Sequence, residues 1–124
     1  MILAHIIEES GGDPLVTGPG NFYGLLQWGP DRYKAGPSSK ELDSQIQYIL
    51  DTMHNTTDRV SWTHGGEGSN FKSGKQAHDT FHNPDLSLKD INWAYSFGYV
   101  RPAGKKDSAN NRLKIAEQIY ELIK

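Results

Sequence analysis

Three groups of residues have types and spacings suited to chemistry. In HIIEESGGDP, residues 5–14, the adjacent Glu8 and Glu9 end an apolar, helix-like segment just before Gly11 and Gly12. The C-terminal end of a helix carries the negative pole of its macrodipole, so two acids are poorly placed there for stability. Successive helical residues diverge by about 100°, so only one of the pair points in any given direction. Glu9, three residues after Ile6, falls close to the apolar face, whereas Glu8 falls nearer the rim. A carboxyl beside apolar groups at that pole should have its ionised form disfavoured and its pKa raised, as a general acid requires at neutral pH. The simpler reading is a solvated pair of surface charges.

The second group is FYGLLQW, residues 22–28. Gly24 permits close backbone approach, Gln27 can donate and accept toward a sugar amide or hydroxyl, and Tyr23 or Trp28 offers a stacking face. The alternative is plain core, with Leu25, Leu26 and Trp28 buried. The third group is HDTFH, His78 to His82, with two histidines at i and i+4. It is similar to the zinc-peptidase pattern H-E-x-x-H, but Asp79 is one methylene shorter than the glutamate of that pattern. No third ligand stands at a characteristic spacing, although His54 and His64 are available. Two surface histidines on a polar helix are the simpler account, and neither a metal nor any other cofactor is expected. Arg101 and Arg112 are assigned to structure, pairing with buried acids or backbone near helix junctions.

Elements must position these groups. Ile2, Leu3, Ile6 and Ile7 recur at helical spacing and predict a first helix ending near Ser10, with those four as its buried face. Residues 11–29 contain six glycines and two prolines, which predicts a turn-rich connection or a small hairpin. Ser38 with Glu41 forms a capping box ahead of a helix whose buried face is Leu42, Ile46, Ile49, Leu50 and Met53. A long polar loop is expected over 54–70 and a helix over 71–82. Ser87 with Asp90 forms a second capping box, before a helix stopping near Gly98, ahead of Arg101-Pro102. A last helix over about 108–123 should bury Leu113, Ala116, Ile119, Tyr120 and Ile123. The fold class is therefore mainly α, with four or five helices.

Bulk properties narrow the function. The 124 residues suit a single domain over 1–124 with its own core. With 13 Lys+Arg against 15 Asp+Glu, no overall positive field exists to hold nucleic acid or an anionic membrane. The absence of cysteine excludes disulfides and thiolate metal sites. No run approaches the roughly 20 apolar residues that cross a bilayer. The apolar N-terminus is interrupted by His5, Glu8 and Glu9 and has no basic region before it, so it does not read as a signal peptide. A core helix starting at the second residue suggests a segment of a longer polypeptide.

Glu9-Ser10 followed by a Gly-rich connection and Gly24-Leu25-Leu26-Gln27-Trp28 resembles the E-S … G-L-x-Q signature of the lysozyme-like superfamily. The closer resemblance is to the phage tail lysozyme family, the muramidase domains of tail-tip proteins, with E-S-x-x-x-P, Y-G-L-x-Q-W and an aromatic-x-R-P segment. Those stand here as Glu9 to Pro14, Tyr23 to Trp28, and Tyr99-Val100-Arg101-Pro102, in the same order and across most of the chain. Val100 departs from the pattern, since relatives often carry a glutamate just before Arg-Pro.

The resemblance implies a lysozyme-like fold of four to five helices around a glycan cleft, and cleavage of the β-1,4 bond between N-acetylmuramic acid and N-acetylglucosamine in peptidoglycan. It makes Glu9 the general acid. Ser10, Gly24 and Gln27 are expected to position the substrate or the acid, and Tyr23, Trp28, Tyr95 and Tyr99 to line the cleft, with sugar contact assigned first to Tyr23. The expected partner is the glycan strand, along with other domains of a phage tail or cell-wall protein, and the expected location is the virion or the cell wall. Asp13, Asp31 and Glu67 are the candidates for a second carboxylate, each with turn or cap chemistry as its simpler role. Without one, Glu9 acts alone, as in substrate-assisted hydrolysis or a lytic transglycosylase. A non-catalytic glycan-binding module and a zinc endopeptidase built on His78 and His82 are the rival classes.

Overall fold

The computed structural model describes residues 1–29, 32, 40–56, 61–66, 68–102 and 104–123. Helix α1 (Ile2–Ser10) leads into a hairpin of β1 (Thr17–Gly18) and β2 (Phe22–Tyr23), joined by a 3-10 turn at Pro19–Asn21. The strands are antiparallel, with Thr17 opposite Tyr23 and Gly18 opposite Phe22. Helices α2 (Leu42–Met53), α3 (Gly74–Phe81) and α4 (Leu88–Ala94) follow, and α4 continues as a π-helical segment, Tyr95–Val100, before α5 (Lys105–Ile123). The mainly α architecture and the small hairpin after the first helix match the sequence expectation. Among the described residues, no helix is long and apolar enough to cross a membrane.

Local chemistry accounts for the boundaries. Gly11 ends α1 in the left-handed conformation at φ 65°, and its N–H bonds to Ile7 O at 2.9 Å. Ser87 caps α4 as expected, accepting from Asp90 N at 3.2 Å and donating to the Asp90 carboxylate at 2.9 Å. The other capping box is corrected: Glu41 is itself the N-cap of α2, and Ser38 lies outside the described residues. Helix α3 is shorter than the expected 71–82, because Ser73 caps it by accepting from Gln76 N at 3.1 Å. From Tyr95 the helix widens and runs through Gly98 to Val100 rather than stopping. Arg101 N–H reaches back five residues to Ser96 O at 2.7 Å, and Arg101 itself turns left-handed at φ 55° before Pro102.

Three expected core faces hold in part, since Ile2, Ile6, Ile49 and Met53 pack in or against the core and Ala116 is buried, but each is rotated. On α1, Ala4 and His5 are buried while Leu3 and Ile7 are exposed; on α2, Gln45, Tyr48, Ile49 and Thr52 are buried while Leu42, Ile46 and Leu50 are exposed. On α5, Ala116 is buried as expected and Ala109 and Arg112 join it, whereas Tyr120 and Ile123 are exposed. The cause is the aromatic centre. Tyr95 and Tyr99 stack with ring centroids 5.0 Å apart, and Trp62 packs on Tyr99 at 5.4 Å. Such rings fill the interior volume, so helices approach through small side chains and hydrogen-bonding partners. Gly98 belongs to this packing, since a Cβ there would stand 2.6 Å from that of Ala77.

A buried polar network ties the helices together beneath Glu9. His5, fully buried and one turn before Glu9 on α1, pairs Nε2 with Asn92 Oδ1 at 3.2 Å, and Asn92 donates to Ala109 O on α5 at 2.8 Å. Burial holds the His5 imidazole down at about 3, well below its ordinary 6.5, so it is neutral.

Candidate active site

Glu9 lies in the last turn of α1, half-buried, while Glu8 is exposed. Its Oε1 accepts from Arg112 Nη2 of α5 at 2.5 Å, and the two side chains are only 15% and 4% exposed. Burial raises the Glu9 pKa above the ordinary carboxylate value, and the Arg112 charge and hydrogen bond pull it back only in part. Desolvation likewise lowers Arg112, against the pull of Glu9. One carboxyl oxygen is thus tethered, and the group as a whole favours holding a proton more than a free glutamate does.

The hairpin is pinned to this helix end. Ser10 Oγ donates to Leu25 O at 2.9 Å and accepts from Gly12 N at 3.2 Å, so its hydroxyl is committed to backbone. Gln45 of α2 is the other anchor. Its Oε1 accepts from Leu25 N at 2.8 Å, and its Nε2 donates to Pro14 O at 2.8 Å and Tyr23 OH at 3.0 Å. Gly24 is required here twice over, by its φ of 83° and because a Cβ would lie 2.6 Å from Gln45 Oε1.

A cleft of about 400 Å³ opens beside Glu9, lined by Glu9, Pro19, Phe22, Gln27, Val100, Arg101 and Pro102. Residues from all three sequence motifs therefore meet at one surface. Gln27 Nε2 donates to Val16 O at 3.1 Å and Gly24 O at 3.0 Å, which spends both amide hydrogens and leaves Oε1 as an acceptor. It can accept from a ligand but not donate, a narrower role than the sequence suggested. Val100 forms an apolar wall, and Arg101 Nη1 donates to Gly98 O at 3.1 Å, holding the π-helical turn.

The four aromatic residues expected to line the cleft are core residues. Tyr23 is 6% exposed, Trp28 1%, and Tyr95 and Tyr99 0%. Tyr23 and Trp28 bridge each other through their backbones and face α2, where Trp28 meets Tyr48 edge-on at 5.3 Å. The ring presented to the cleft is Phe22, 45% exposed. Alternation along a strand explains the exchange, since adjacent residues point to opposite faces; the two-residue length of β2 hid that signal in the sequence. Gln45 was missed because a polar residue on an apolar face reads as a surface position.

Of the acids weighed as a second carboxylate, Asp13 is exposed and accepts from Leu15 N at 2.9 Å, closing its own turn. Asp31 and Glu67 lie outside the described residues. Among the described residues, Glu9 is the single carboxylate lining the cleft. His78 and His82 lie away from it and sit against Trp62, half-buried rather than on an open helix face.

Comparison with curated proteins gave no match, and comparison with solved structures gave none either. A family model described as phage tail lysozyme matches residues 2–123, including every residue of the cleft. The chain belongs to the phage tail lysozyme family, whose lysozyme-like, peptidoglycan-lytic character fits a cleft with one desolvated carboxyl at the end of its first helix.

Proposed function

We propose that this domain cleaves the β-1,4 bond between N-acetylmuramic acid and N-acetylglucosamine in peptidoglycan, with Glu9 as the general acid. The observation carrying the reading is the convergence of Glu9, Gln27 and Arg101-Pro102 on one cleft, with the Glu9 pKa raised by burial. Glu9 gives its proton to the glycosidic oxygen as the C1–O bond breaks, and the departing sugar leaves as an alcohol. The carboxylate so formed, still held by Arg112, takes a proton from the attacking water and is restored. Phe22 offers an apolar face to a pyranose ring, and Gln27 Oε1 accepts from an acetamido N–H or a hydroxyl. The working location is the phage tail, beside other domains of a tail protein.

Glu9 standing as the only described carboxylate in the cleft favours a second chemistry, in which the muramic acid C6 hydroxyl attacks and the product carries a 1,6-anhydro end. Mass spectrometry of digested peptidoglycan separates the two, a reducing muramic acid end meaning hydrolysis. In either chemistry Glu9→Gln should abolish fragment release while Glu8→Gln retains most of it. Full turnover by the Glu9 variant would end this reading, and wall binding by the parent without any product would favour a non-catalytic binding module.

A further inference from the structure

The geometry points to a zinc-binding site formed by His54, His78 and His82 that clips the C-terminal ends of α2 and α3 together. One ligand nitrogen from each residue lies within 4.8 Å of the others. Tetrahedral zinc with Zn–N bonds of about 2.0–2.1 Å sets its ligands roughly 3.3 Å apart, so an inward shift of at most about 1.5 Å brings the three nitrogens onto one ion. The spacing of His78 and His82 in sequence supplied two ligands; the third, His54, comes from another helix end and is brought in by the fold.

The tautomers are already set for a metal. His78 donates Nδ1–H to Asp79 Oδ1 at 2.9 Å, and its Nε2 is buried without a partner among the described residues. His82 donates Nε2–H to Met53 O at 2.9 Å, which makes Nδ1 its lone-pair nitrogen. Histidine ligands to metals characteristically give their other ring N–H to a carboxylate or a backbone carbonyl, and both partner types occur here. The rings are also held in place. His54 stacks on His82 at 5.0 Å, His78 lies 4.3 Å from His82, and Trp62 meets His78 edge-on at 5.5 Å.

Electrostatics favour a cation at this point. His54 is the C-cap of α2 and His82 the C-cap of α3, so the negative ends of two helices bound the site. Asp79 is engaged by His78 and, at 2.6 Å, by Lys75, so it orients a ligand rather than standing as a general base over a metal-bound water. The site is therefore structural and separate from the Glu9 cleft, with which it shares no residue.

The test uses untagged protein stripped with chelator and titrated with zinc chloride, following bound zinc by calorimetry and the melting temperature in parallel. One zinc per chain and a rise in melting temperature are expected. His54→Ala, at an exposed position, should weaken zinc binding at least tenfold, Asp79→Asn about 10–100-fold, and His64→Ala not at all. Absence of a zinc-dependent rise in melting temperature overturns the site, as does an affinity unmoved by both His54→Ala and Asp79→Asn. Wall lysis below the melting temperature of the stripped protein should be unchanged, since Glu9 acts elsewhere.

Discussion

Glu9 is held between two opposing influences, burial against ionisation and the Arg112 guanidinium in favour of it, and burial prevails. Activity requiring the protonated acid falls as pH rises through the Glu9 pKa. Arg112→Gln removes the group that pulls this pKa down, so the basic limb of the kcat/KM profile should move to higher pH; an unmoved limb would detach Arg112 from the acid. The same pair governs stability. Folding raises the Glu9 pKa, so the ionised carboxylate is held at a net cost relative to the neutral acid. Glu9→Gln, neutral like the protonated acid and with an amide oxygen that still accepts the Arg112 hydrogen bond, should therefore keep the melting temperature at or above that of the parent; a clear drop would show that Arg112 depends on the Glu9 charge.

At the scale of elements, the hairpin and the end of α1 act as one unit because Ser10 and Gln45 bind its backbone. Gly24→Ala would force a side chain into left-handed backbone and against Gln45, so a loss of about 2–4 kcal/mol in denaturant unfolding is expected. Phe22→Ala is the converse case. Its ring is exposed on β2, so stability should change by less than about 0.5 kcal/mol while KM for soluble glycan fragments rises about tenfold through the lost stacking face. An unchanged KM would remove Phe22 from the binding surface. The hairpin was legible in the Gly and Pro spacing, and the α4 cap in Ser87 and Asp90. Which face of β2 meets the cleft was not legible, because two residues give no period to count.

At the scale of the whole molecule, the His5–Asn92–Ala109 chain joins α1, α4 and α5 without a single charge. His5 is neutral in the folded state, with a pKa of about 3 against an ordinary 6.5. The unfolded chain therefore binds a proton that the folded chain refuses, and stability should decline as pH falls from about 6.5 toward 3. Unfolding free energies measured across that range should show this slope, and His5→Gln should flatten it. An equally steep slope in the variant would assign acid sensitivity to other groups.

The order of Glu9-Ser10, Gly24 to Trp28 and Arg101-Pro102 was enough to give the family and the candidate acid, and Gly, Pro and cap residues marked the end of α1, the hairpin and the start of α4. These signals are local, written in backbone preferences and short spacings. What the tertiary structure alone decided was which side chains face inward. Periodicity assumes that apolar residues seek the core, but here large rings occupy it, so His5, Gln45 and Arg112 are buried in hydrogen-bonded roles while Leu3, Ile46 and Tyr120 lie outside. Glu9 acquires Arg112, and His78 acquires His54, only because distant segments fold together, and neither pairing leaves a spacing in the sequence.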